Sequence, residues 1–247
     1  HLAAVNVQHD MLKEPARAYE VNLLGGINLL EAVRTQCPQT RVVIASSAEV
    51  YGPVESKNLP VQETHPFAPI TVFAASKAAL ELVTYPFIHA YGLQVVIARP
   101  FNYTGPRQRT EFACSTLAAQ IVQAENGGDP VIYVGDLYPK RDFSDVRDIV
   151  RGYRLLALHG QKGEAYNLAS GDSVSIEHIL SMLVNMTRVK VEVRHDPTRV
   201  RGTQIMNVCG SREKIATVGW TPNIPLDKTL RDVLNWHRDQ MTAGASR

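Results

Sequence analysis

Several things are scarce in this chain, and each scarcity removes a class of protein. Only three cysteines, Cys37, Cys114 and Cys209, occur in 247 residues. They are odd in number and far apart, so neither a disulfide framework nor a thiolate metal site is expected; free thiols in a reducing cytoplasm are. No apolar run approaches the roughly 18 residues of a membrane span. Lys and Arg number 26 against 24 Asp and Glu, with no basic block. Nothing therefore marks a nucleic-acid partner. No G-x-G-x-x-G or G-x-x-G-x-x-G string is present, and Gly25-Gly26 sits inside a helical pattern. What is plentiful is ordinary: 45% hydrophobic and 20% charged residues, enough for one globular domain or one with a small lobe.

Periodicity supplies the elements. Tyr19, Leu23, Leu24, Ile27, Leu30 and Val33 recur at helical spacing and predict one helix over 13–36. The run 41–46 is continuously apolar, as in a strand buried on both faces. A proline-bearing loop (52–71) precedes a helix over about 72–91, in which Pro86 is expected to kink or end the helix. Strands follow at 94–98, 131–134 and 190–193, with helices at 111–126, from Ser175, and at 226–236. Asp145, Arg147 and Asp148 are placed to cap and brace the helix after them. Trp220 and Trp236 are expected in the core.

Five strings carry chemistry. The first strand runs into Ser46-Ser47-Ala48-Glu49-Val50-Tyr51-Gly52, and Phe73-Ala74-Ala75-Ser76-Lys77 opens the following helix. The next strand ends in Arg99-Pro100-Phe101-Asn102-Tyr103-Thr104-Gly105-Pro106. Farther on come Arg141-Asp142-Phe143-Ser144-Asp145-Val146-Arg147-Asp148 and Asp196-Pro197-Thr198-Arg199-Val200-Arg201. A hydroxyl beyond the carboxyl end of a buried strand is where open α/β sheets bind ligands, and a planar guanidinium suits bidentate phosphate binding.

Together these strings resemble the extended short-chain dehydrogenase/reductases, the NAD-dependent epimerase/dehydratase family, most closely its GDP-sugar reductases and dehydratases. The resemblance implies an α/β fold: a Rossmann-like doubly wound parallel sheet with a smaller C-terminal α/β substrate lobe. Residues 1–108 would belong to the dinucleotide-binding core, completed by about 131–170, with 109–130 and 171–247 as the substrate lobe. His1-Leu2-Ala3-Ala4 is similar to the family's H-x-A-A tetrapeptide, which ends the fourth strand. The resemblance therefore implies roughly 65 further residues upstream, carrying the first strands and the Gly-rich turn.

The implied site is catalytic Ser47 and Lys77, with Glu49 beside them and Phe73 at the position of the family's tyrosine. Ala3, Ala4, Lys77, Pro100 and Phe101 would border NADP or NAD; Asn102, Arg141 and Arg199 would hold the substrate; no metal is implied. Asn22 would touch the active-site helix. That helix and the one before it would pair with a second copy as a four-helix bundle, giving a homodimer. The implied activity is reduction of the C4 ketone of a GDP-linked 4-keto-6-deoxyhexose. A GDP-mannose 4,6-dehydratase or nucleotide-sugar epimerase is the alternative, although Ala48 supplies no acid for a dehydratase. A nucleotide-sugar-binding pseudoenzyme is the alternative from another class, because Phe73 has no exchangeable proton. Tyr51 is expected to pack against its turn, and Tyr103 to relay a proton.

A sheet lacking its first strands would leave an apolar edge open to pairing with another chain. The 247-residue chain is therefore expected to associate or to be marginally stable. Thermal melts over a range of concentrations check this, and a sharp, concentration-independent melt of a monomer is the contrary outcome.

Overall fold

The computed structural model describes residues 1–6, 8–200 and 205–245. It is α/β, with its largest parallel sheet in the order β1-β2-β6 (Arg41–Ala45, Gln94–Pro100, Ala165–Leu168). Register pairs Val42 with Val95 and Ile97 with Ala165. These strands are continuously apolar because both faces are covered. On one face Val42, Ile44 and Val95 pack with Leu30, Leu80 and Ile88. On the other, Val96 and Ala98 pack with Ile149, Leu156 and Trp220.

The first face is covered by α3 (Gly25–Gln36) and α4 (Val72–Tyr91). They meet where a Cβ on Gly26 would lie 2.4 Å from Leu80 Cδ1. The predicted 13–36 helix is continuous from Pro15 to Gln36, with α2 (Pro15–Tyr19) passing through a wider π-turn, Glu20–Leu24, into α3; α1 (Gln8–Lys13) precedes it. This turn holds Asn22, which is fully buried. Pro86 does not interrupt α4. The carbonyl it leaves without a helical partner is that of Leu82, on the exposed face, where water can satisfy it. Thr71 caps the start of α4 by accepting from Ala74 N, and Gly92 ends it at φ 74°.

The other face is covered by α6 (Val146–His159). Asp145 caps it and pairs with Arg147, while Asp148 accepts from Asn223 N and Ile224 N, so the expected brace is present.

A second core holds the small lobe. Leu117 and Ile121 of α5 (Ala113–Glu125), Ile132 and Val134 of β4 (Val131–Val134), Leu183 of α7 (Ile176–Val184) and Leu230 of α9 (Leu226–Ala245) pack together. β4 pairs with β8 (Glu192–His195), two residues later than the predicted 190–193. Residues 131–134 pack in the small-lobe core, and Ile215 and Trp220 pack on the large sheet. Trp236 is half-buried rather than in the core. Between the lobes, β3 (Asn102–Thr104), β5 (Lys140–Asp145) and β7 (Ser173–Ser175) form a short ladder. The free edge of β1 makes two backbone bonds with the chain start, His1 N to Val43 O and Ala45 N to His1 O.

Gly26 lets α3 and α4 approach, so Gly26→Val should destabilise by about 1–3 kcal/mol through overpacking against Leu80. Urea unfolding of the two proteins measures it.

Candidate active site

The site is built at the carboxyl ends of β1 and β2. β1 delivers Ser46 and Ser47, and Ser47 caps a 3-10 turn, Ala48–Tyr51, by accepting from Glu49 N at 3.2 Å. α4 delivers Phe73 and Lys77 on successive turns of one face. Lys77 is only 3% exposed, and its ammonium donates to Ala45 O at 2.7 Å, two residues before Ser47. Its Nζ lies 5.8 Å from the centroid of the Phe73 ring, within cation–π range. Burial pulls the Lys77 pKa down to about 8, with Glu81 opposing.

Glu49 is open to solvent at this rim and accepts a hydrogen bond from Thr71 Oγ1 at 3.3 Å. Thr71 is the cap of α4, so the Glu49 carboxyl sits over the first turn of the helix that carries Phe73. The protein around that carboxyl withdraws enough water to raise its pKa, against the pull of Thr71 and Arg141. Arg141, half-buried on β5, feels Glu49 in return. Strand alternation puts Asn102 and Arg141 on one face of the β3–β5 ladder, because Asn102 pairs with Phe143. Tyr103 falls on the opposite face, close enough to Tyr153 of α6 to influence its ionisation. The relay expected of Tyr103 therefore gains no support: its side chain faces away from Asn102 and Arg141.

The other predicted residues divide. Asn22 Nδ2 donates to Ser76 Oγ at 3.0 Å, next to Lys77 on α4, and its amide also exchanges two bonds with the Val5 backbone. Pro100 and Phe101 are buried at the end of β2, and Ala3 is exposed in the segment that follows the β1 contact. Tyr51 packs into its turn as expected, with Oη donating to Asn167 Oδ1 at 2.6 Å; burial pushes its pKa up to about 12. Arg199 is not brought to this group. It pairs with Asp196 and lines a separate cavity of about 480 Å³ with Gln120, Asn126 and Tyr133. The companion Arg201 lies outside the described residues. Among the described residues, no cluster of three His, Cys, Asp or Glu could hold a metal ion, and no helix is long and apolar enough to cross a membrane.

Sequence reasoning missed the charges behind the site. Glu81 and Arg99 form a fully buried ion pair, with Arg99 Nη2 2.7 Å from Glu81 Oε2. The available signal was a carboxylate on the apolar face of α4, four residues after Lys77. Asp142 was also missed: buried on β5, it accepts from Ser170 N, Ser170 Oγ, Gly171 N and Gly210 N, fastening the ladder to the turn after β6.

A family model described as GDP-mannose 4,6 dehydratase matches residues 1–233. The chain belongs to this family. It is 34% identical over 237 residues to the GDP-6-deoxy-D-mannose reductase of Pseudomonas aeruginosa, across 95% of this chain and 78% of that protein. Other relatives in this family's neighbourhood include UDP-glucose 4-epimerase of Lacticaseibacillus casei, 29% identical across 97% of this chain and 76% of that one. Among solved structures, RMD from Pseudomonas aeruginosa complexed with NADPH matches at a TM-score of 0.93 and 32% identity, across 97% of this chain and 80% of that one. UDP-glucose 4-epimerase of Thermus thermophilus in complex with NAD matches at a TM-score of 0.85 and 28% identity, across 96% of this chain and 76% of that one. The three-stranded parallel sheet is thus part of the Rossmann-type sheet of the nucleotide-sugar reductases, dehydratases and epimerases.

The buried Lys77 makes stability depend on pH. Its folded pKa, about 8, lies below the ordinary 10.5. The unfolded chain therefore binds more protons between those values, and stability rises with pH across that window. Relative to Lys77→Met, the wild type should gain about 2–3 kcal/mol between neutral pH and the top of the window, read from denaturation curves at both ends.

Proposed function

We propose that this chain is a nucleotide-sugar reductase that uses NADP or NAD to reduce the C4 ketone of a GDP-linked 4-keto-6-deoxyhexose. The observation that carries the reading is the buried Lys77 ammonium at the end of β1, two residues from the Ser47 hydroxyl. The 34% identity to a GDP-6-deoxy-D-mannose reductase supports the substrate class.

The residues present fit the nicotinamide half of such a cofactor. Lys77 has three ammonium protons, gives one to Ala45 O, and would offer another to the nicotinamide ribose. The backbone of Ala3, Ala4, Pro100 and Phe101 would border the ring. No residue of this chain is assigned to the pyrophosphate, since no Gly-rich turn of the required pattern occurs in it. When bound, the reduced nicotinamide supplies the hydride. Ser47 would hydrogen-bond the substrate carbonyl oxygen and spread its developing charge. Arg141 would take the substrate diphosphate, and Asn102, exposed on the same face of the ladder, would add a polar contact. Arg199, which lies apart from this group and pairs with Asp196, would reach the nucleotide phosphates only if its turn moved toward the site. The hydride forms the new C4–H bond, the carbonyl π pair moves onto the oxygen, and that oxygen must also gain a proton. Phe73 has none to give, and Glu49, hydrogen-bonded to Thr71 at the same rim, is the side chain assigned to bring it. A homodimer through α3 and α4, with Pro86 on its exposed face, and a cytoplasmic setting for the three free cysteines complete the proposal.

A second reading is favoured by Phe73 itself: a protein that binds a nucleotide sugar and leaves it unchanged. Calorimetric titration with NADPH and then NADH comes first: saturable binding of either supports a complete dinucleotide site, and binding of neither removes hydride transfer from this chain. In the cofactor-binding protein, Phe73→Tyr should raise ketone reduction by roughly 10²–10⁴. No rise at all would transfer support from the reductase to the binding protein.

A further inference from the structure

Glu81 has no part in the roles assigned above, yet it is bonded to both halves of the site. It lies on α4 four residues beyond Lys77, on the same face, with no exposure to solvent. A buried carboxylate needs pairing, and Arg99 of β2 provides it: Nε lies 3.1 Å from both oxygens and Nη2 2.7 Å from Oε2. The Ser46 hydroxyl donates to the same carboxylate.

These bonds form a frame. Lys77 reaches Ala45 O, and Glu81, one helical turn on, reaches Ser46. They are consecutive rungs between α4 and the last residues before Ser47, so the helix can neither slide nor roll against the strand end without breaking one. The far end of the Ser47 turn is held by the same ion pair. Arg99 Nη1 donates to Tyr51 Oη and to Glu63 O, both at 2.9 Å, and Tyr51 in turn donates to Asn167 of β6.

We infer that Glu81 is a positioning residue for the Ser47–Lys77 pair, its carboxylate setting the spacing between the helix that carries Lys77 and the turn that carries Ser47. The inference rests on the proposed role of that pair. Glu81 also acts on Lys77 as a charge. It raises the lysine's pKa against burial; Arg99 stands behind it on β2, and the amino group of His1 faces Lys77 from the chain start.

Two readouts test this. The first needs no cofactor: the titration of Lys77 followed by NMR in lysine-labelled protein. Glu81→Gln, which keeps the shape and an acceptor for Ser46, should lower the Lys77 midpoint by about one pH unit, and Glu81→Asp, which keeps the charge, should restore most of it. The second is Ser46→Ala in the Phe73→Tyr protein. Loss of one rung should lower kcat roughly tenfold or more with KM little changed, because small misplacements of reacting groups are costly. If Glu81→Gln does not fold, Glu81→Asp against the wild type and the Ser46→Ala kinetics carry the test. A wild-type Lys77 midpoint without the Glu81 charge, or an unchanged kcat in Ser46→Ala, overturns the inference. A shifted midpoint in a protein that never turns over upholds the coupling and overturns the reductase reading instead.

Discussion

The ion pair between Glu81 and Arg99 is the contact on which the other features of the site depend. Both side chains are withdrawn from water, a cost that only dense mutual bonding can offset. That bonding draws in Ser46 from β1, Tyr51 from the following turn, Glu63 from the proline-rich loop and, through Tyr51, Asn167 from β6. One pair of charges thus reaches all three strands of the main sheet and the helix beside them. Asn167 continues the network: its side-chain amide donates to Val61 O, and its backbone N–H donates to the Glu63 carboxylate. A loop that composition alone would leave loose is thereby tied to the sheet.

That rigidity explains how a polar site survives on an apolar frame. Lys77 is charged against its surroundings, so its ammonium must be held by a fixed acceptor, and Ala45 O is that acceptor. On the other side of α4, Asn22 fastens Ser76 from the π-turn. The active-site helix is therefore gripped on both flanks of Lys77 by polar bonds whose loss would strand buried groups. The Phe73 ring has its centroid 5.8 Å from the Lys77 Nζ and carries no exchangeable proton. The frame does not run through the Phe73 side chain: its bonds join Lys77 to Ala45 and Glu81 to Arg99 and Ser46.

The small lobe follows a different logic. Its core is conventional apolar packing among α5, β4, α7 and α9, and buried carboxylates tie it to the large sheet: Asp142, bonded to Ser170, Gly171 and Gly210, Asp145, bonded to Thr229, and Asp148, bonded to Asn223 and Ile224. Arg141, the neighbour of Asp142, consequently faces Glu49 from a fixed strand, whereas Arg199 sits on a short turn paired to Asp196.

The sequence by itself determined β1 and the body of β2, because 42–45 and 95–98 are unbroken apolar runs that fit burial on both faces, and it placed α4 over about 72–91. It also determined the family, through residue types whose order along the chain is their signature. What it left undecided needed the third dimension. The π-turn at Glu20–Leu24 and the unbroken path through Pro86 depend on which face of a helix meets water, and helical spacing does not say which. The division of 131–134 and 215–220 between lobes depends on which core each apolar segment reaches. The orientation of Tyr103 depends on strand register, which a three-residue strand is too short to display. Above all, the partnership of Glu81 with Arg99 and Ser46 joins residues 18 and 35 positions apart. A buried charge advertises that it must have a partner; only the fold decides which one.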